Sequence, residues 1–201
     1  MSVESDPNDN AASTLRAESV PAFRMAQIIL VLVGARAQGR KLDMERLSMI
    51  EFLSANPFLV LDAESPASSQ LRLQGFGRHS INYASPGQRY VSRRERVASD
   101  IARLVSFGLV ELSASEGQRV FAVTELGQQS AESLCSVYAD AYRLSVATVA
   151  PIVMKLSSTK MREQLETWLR VDPVLFDLID TPNIDELEIE ASMLASRDIL
   201  F

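Results

Sequence analysis

YVSRRERVASDIARLVSFGLVELSASEGQRVFAV, residues 90–123, reads as a basic helix that turns at a glycine into a two-stranded hairpin. Ser92 followed by Glu95 has capping-box spacing: the hydroxyl accepts from a free backbone N–H and the carboxylate reaches back to the cap, so a helix is expected to start there. Val97, Ile101, Leu104 and Val105 recur at three- and four-residue intervals and give that helix one apolar face. Gly108, with no Cβ, suits the left-handed residue that closes many helices. Leu109 to Ser113 and Arg119 to Val123 then form short strands around the turn-forming Ser115-Glu116-Gly117, and Thr124 can cap the next helix.

Working outward, Pro21 opens a helix to about Ala37, and the run Ile28 to Val33 makes it apolar nearly all round, as expected of a central helix. Asp43 can cap a second helix, with Leu42 and Leu47 as a hydrophobic staple, and Asn56-Pro57 stops it. Residues 62–86 dissolve into Ser, Pro, Gly and isolated apolar residues and read as a long loop, with room for a short element near Ser80 to Tyr83. Glu125 to about Val149 has helical periodicity interrupted or kinked at Pro151; a further helix spans roughly Thr159 to Arg170, and Pro173 to Ile179 can add a turn or two. Helix, hairpin, helix is the order of a winged helix. The expected fold is mainly α with a small β-hairpin: a flexible arm over 1–19, a winged-helix-like domain over 20–124 with its loop at 62–86, a helical extension over 125–179, and an acidic tail over 180–201.

Composition narrows the function. With 201 residues, 47% of them apolar, the chain can bury a core for one large or two small domains. The net charge of −6 is uneven: residues 1–20 carry one basic and four acidic side chains and residues 172–201 one and eight, leaving a mildly basic middle between acidic ends. Bulk charge therefore gives no argument for nucleic acid. A single cysteine, Cys135, excludes an intramolecular disulfide and suits a reducing compartment; among Leu134, Val137 and Tyr138 it reads as a small buried hydrophobe on a helix. Ile28 to Val33 is far short of the roughly twenty apolar residues that span a bilayer. Met1 to Asn10 lacks the basic and apolar regions of a secretory signal, so the expected location is cytoplasmic.

Residues for chemistry are sparse. His79 is the only histidine, in the loop Gly77-Arg78-His79-Ser80, where solvation explains it better than catalysis. Gly75-Phe76-Gly77 and Gly34 through Gly39 lack the lysine of a phosphate-binding loop. Acidic pairs Asp43/Glu45, Asp62/Glu64 and Glu163/Glu166 are explained by caps, loops and solvated helices, so neither a metal site nor a cofactor is expected.

The basic set is more informative. Arg72, Arg78, Arg89, Arg93, Arg94, Arg96 and Arg103 fall in one stretch opposed only by Glu95 and Asp100. On a helix from Arg93, residues 93, 96, 100 and 103 share a face, so Arg93, Arg96 and Arg103 are expected to line one stripe, with Arg119 in the wing. Arginine holds phosphate bidentately, so Arg89, Arg93, Arg94, Arg96, Arg103 and Arg119 are the candidate contacts to double-stranded DNA or to an acidic partner surface.

The apolar helix Ile28 to Val33, Leu42-Asp43-Met44-Glu45-Arg46-Leu47 leading to Phe52, Gly87-Gln88-Arg89-Tyr90-Val91 into Arg93-Arg94-Glu95, Gly108-Leu109-Val110-Glu111, and Thr124-Glu125-Leu126-Gly127 carry a resemblance over roughly Phe23 to Tyr142. The chain resembles the middle component of bacterial ABC-three-component systems, including the small subunit of Lamassu-type antiphage defence. The motifs are structural, and Asn56-Pro57-Phe58-Leu59-Val60 departs from the pattern. The resemblance implies a noncatalytic adaptor beside an ATPase of the structural-maintenance-of-chromosomes or Rad50 type and an effector-bearing subunit, with the apolar helix and wing docking to either. A winged-helix transcription regulator, dimeric through the helices after Thr124, is the alternative reading.

Overall fold

Pro21–Ala37 forms α1, with the proline in the first turn where its missing N–H costs nothing. The computed structural model describes residues 17–77, 85–115 and 117–169. A short 3-10 turn, Ala17–Ser19, precedes α1, so this part of the expected arm is ordered against the helix. Ile28, Ile29, Leu30, Val31 and Leu32 are all buried, because α1 packs against α2 (Met44–Ala55), α4 (Pro86–Ser106), α6 (Val137–Met154) and the hairpin at once. The central helix expected from its all-round apolar pattern is present.

Asp43 caps α2, its Oδ1 accepting from the Arg46 N–H at 2.7 Å, and the staple residues Leu42 and Leu47 are both buried. Leu42 has a further role. Its N–H donates to the Phe121 carbonyl at 3.1 Å and its carbonyl accepts from the Phe121 N–H at 2.8 Å, adding a third strand-like residue beside the hairpin. The hairpin pairs β1 (Val110–Ser115) with β2 (Gln118–Val123) antiparallel, Val110 opposite Val123 and Ser115 opposite Gln118. Gly108 (φ 70°) ends the turn after α4, and Gly117 (φ 77°) lies in the hairpin turn; both positions favour glycine.

Several expectations are corrected. The segment 62–86 contains α3, Pro66–Leu73, capped by Ser65, whose Oγ accepts from the Ser68 N–H at 3.2 Å. Its polar residues hid the helix, although Ser65-Pro66 is a cap followed by an N1 proline. The basic helix starts at Pro86, six residues before Ser92, because Ser85 and Gln88 supply the real capping box at 3.2 and 3.3 Å; Ser92 and Glu95 lie inside it. The helix expected over 125–149 is two: α5 (Glu125–Glu132) and α6, where Ser136 caps Ala139 at 3.1 Å. Cys135 falls in the connection and is exposed, against the expectation of burial. Pro151 does not end α6, which continues to Met154. The last described helix, α7 (Ser158–Leu169), matches its expected place.

Two glycines record close packing. A Cβ on Gly34 of α1 would meet Val146 Cγ1 of α6 at 2.6 Å, and one on Gly127 of α5 would meet the Leu109 carbonyl oxygen at 2.1 Å. Residues 1–16, the possible element at Ser80 to Tyr83, Arg78, His79, Glu116, Arg170, the turns over 173–179 and the acidic tail over 180–201 lie outside the described residues. Among the described residues no helix is long and apolar enough to cross a membrane.

Candidate nucleic-acid interface

At 3.6 residues per turn, α4 has two chemically distinct sides. Tyr90, Arg93, Val97, Asp100, Ile101 and Leu104 face inward and are buried. Arg93 is therefore on the apolar side. Its Nε donates to both Glu51 oxygens at 2.8 and 2.7 Å, and one terminal nitrogen, Nη2, donates to Glu51 Oε1 and to the Gln27 side-chain carbonyl. Gln27 Nε2 in turn donates to the Tyr138 oxygen at 2.6 Å, and the Tyr142 hydroxyl donates to the Glu51 backbone carbonyl at 3.0 Å. Asp100 is met by Arg24 of α1 through Nε at 2.6 Å and a terminal nitrogen at 2.9 Å. A buried charge is tolerated only when paired and hydrogen-bonded, and both of these are. The network ties α1, α2 and α6 to α4 and fixes its rotation about its axis. Burial holds the Tyr90 and Tyr142 phenols well above the usual tyrosine value, with Glu51 acting in the same direction on each.

The stripe expected from Arg93, Arg96, Asp100 and Arg103 is thus split. Arg93 and Asp100 are committed to the core, while Arg96 and Arg103 face outward with Ser92, Ser99 and Ser106 at steps of four, three, four and three residues. Arg96 is exposed and its Nε donates back to the Ser92 carbonyl at 3.0 Å; Arg103 is half-buried, and among the described residues neither has a carboxylate partner. The split was legible in the sequence: Arg93 precedes Val97 by four residues and Asp100 precedes Leu104 by four, so both share the apolar stripe.

The other candidates are dispersed. Arg89 lies over the Phe52 ring and donates to Asn56 Oδ1 at 2.6 Å. Arg94 is half-buried on the opposite flank from Arg96, near Tyr90. Arg119 is half-buried on β2 opposite Ala114. Arg72, in α3, bonds the Ala63 carbonyl and lies over Phe58. Sequence reasoning missed Arg24, Gln27 and Glu51, whose burial depends on contacts between distant helices.

An open cleft of about 480 Å³ lies where α1 ends beside β2 and the start of α5. Its walls are of mixed charge, since Arg36 pairs with Glu125 and Lys41 with Glu111, each at 3.1 Å. Among the described residues no group of three or more His, Cys, Asp or Glu side chains is arranged to hold a metal. Asp43 caps α2, and Asp62 Oδ1 accepts from the Glu64 N–H at 2.9 Å, the cap and loop roles expected of them. No protein-family model matches the chain, and no curated protein or solved structure does.

Proposed function

We propose that this chain is a noncatalytic adaptor built on a winged helix, which lays the outward face of α4 on double-stranded DNA and couples that contact to partner subunits. The element order supports the winged helix: α1, the strand-like Leu42, α2, α4, β1 and β2, with α3 inserted before α4. In that architecture the helix before the hairpin is the one that enters a groove, and here it is α4. The observation that carries the reading is the outward pair Arg96 and Arg103, flanked by serine hydroxyls and free of carboxylate partners among the described residues, while Arg93 is spent on Glu51. Arginine and serine are both common donors to phosphate oxygens.

The partners follow from the resemblance to the middle component of three-component defence systems: an ATPase of the chromosome-maintenance type and an effector subunit. Because Ile28 to Leu32 are buried within this chain, the docking role given to the apolar helix passes to exposed apolar residues. Val137 is 77% exposed and Tyr138, its ring tilted against that of Phe23 with centroids 5.0 Å apart, is 41% exposed at the joint start of α1 and α6. The coupling requires only that the partners' two states bind this chain with different affinity.

Copurification with the products of neighbouring genes, followed by Arg96→Glu and Arg103→Glu, tests the reading. Loss of DNA from an intact assembly supports it; loss of the assembly moves those arginines to a protein contact. Sequence-specific operator binding by the isolated chain favours a transcription regulator instead.

A further inference from the structure

The outward face of α4 carries one feature that phosphate contact leaves unused. Phe107, one turn beyond Arg103 and in line with Arg96, caps the helix and is 53% exposed. The exposed ring gives this arginine face a second complement besides phosphate: a peptide that mixes carboxylates with aliphatic side chains. The sequence of this chain contains such a peptide: IDELEIEASML, residues 184–194, has four acidic residues, no basic residue, and Ile184, Leu187, Ile189 and Leu194 between and beside them.

We propose that, when no polyanion is bound, residues 184–194 lie in cis on the outward face of α4, their carboxylates on Arg96 and Arg103 and their aliphatic groups against Phe107. The proposal rests on reading that face as a polyanion surface, and it makes the tail a competitor that DNA must displace. Reach is sufficient, because the sixteen residues from Leu169 to Asp185 span up to about 50 Å extended, more than the roughly 40 Å across a domain of this size. Tethering favours the contact, since two groups on one chain meet at an effective concentration on the order of millimolar when the link between them is short. Exposed charge pairs of this kind are weakened by salt, so the contact is reversible under ordinary conditions.

The test uses the full chain without DNA. The side-chain N–H signals of Arg96 and Arg103 and the ring signals of Phe107 are compared by NMR between the natural sequence and the variant Asp185→Asn, Glu186→Gln, Glu188→Gln, Glu190→Gln. Distinct signals that converge as salt rises from about 50 mM to about 500 mM support the contact. If the tail occupies about nine-tenths of the sites, the variant also binds duplex DNA about tenfold more tightly at low salt. Coincident signals at low salt overturn the proposal, whether or not the chain binds DNA. Distinct signals with no DNA affinity in either protein retire the DNA reading and leave the cis contact standing. Signals that depend on protein concentration, or that respond to neutralising Glu4, Asp6 and Asp9 instead, assign the face to a second copy or to the N-terminal segment and overturn it.

Discussion

Arg93 of α4 and Glu51 of α2 form an ion pair inside the helical core, Nε lying 2.8 and 2.7 Å from the two carboxylate oxygens, with the Glu51 side chain 1% exposed. Removing one partner leaves an uncompensated buried charge, so Glu51→Leu is expected to cost about 3–5 kcal/mol. Replacing both, with Arg93→Met added, should recover most of that loss, because well-packed apolar side chains often match a buried pair. Urea unfolding of the two variants decides it, and a cost below about 1 kcal/mol for Glu51→Leu would show that water reaches Arg93.

The two buried phenols set an alkaline limit. Burial, first of all, holds Tyr90 and Tyr142 above the ordinary tyrosine value of about 10 in the native protein, while the unfolded chain ionises near that value. Their contribution is fully present below about pH 10 and is lost above it, as the unfolded state releases protons that the native state retains. The loss per phenol steepens through about pH 10 and approaches its limit, about 1.4 kcal/mol per pH unit, only at about pH 11 and above. Urea midpoints between about pH 9 and about pH 11 measure the slope, and ultraviolet absorbance should show these phenolates appearing only with unfolding.

Gly127 holds α5 against the turn after α4. Alanine there would drive Cβ into the Leu109 carbonyl, a backbone atom with little freedom, so Gly127→Ala should destabilise by about 1–3 kcal/mol or more. Gly34→Ala meets a side chain instead, Val146 Cγ1, and Val146→Ala in the same chain should relieve much of its cost. Thermal melts of the three variants separate the cases; an undisturbed Gly127→Ala would mean that α5 can lift from the hairpin.

Cys135 should react with a thiol reagent in the folded protein at one equivalent per chain, at a rate unchanged by mild denaturant, because it lies exposed between α5 and α6. Reaction that waits for unfolding would contradict that placement.

How much was legible differs by element. α1, α2 and the hairpin were, because local signals agree there: Pro21 and Asp43 mark helix starts, and Gly108 and Gly117 mark turns. α3 was not, since eight residues with a single buried leucine give almost no periodicity. The break between α5 and α6 was hidden because Leu134, Val137, Tyr138 and Ala141 keep a helical spacing across the connection, although Ser133 and Ser136 flank it. In the candidate interface, Arg96 and Arg103 were placed correctly on one side of a helix, but Arg93 and Asp100 were assigned outward by charge when their spacing put them inward. Their partners Glu51 and Arg24 are 42 and 76 residues away, a separation no local pattern encodes.

The most direct measurement of the central claim is the salt dependence of duplex-DNA binding, by fluorescence anisotropy, for the full chain and for its copurified assembly. Losing two phosphate contacts should weaken binding and lower the slope of log K against log salt by about 2, so Arg96→Ala with Arg103→Ala is expected to do both while Arg40→Ala does neither. Wild-type affinity and slope in the Arg96→Ala, Arg103→Ala chain would contradict the assignment of the outward face of α4 to DNA.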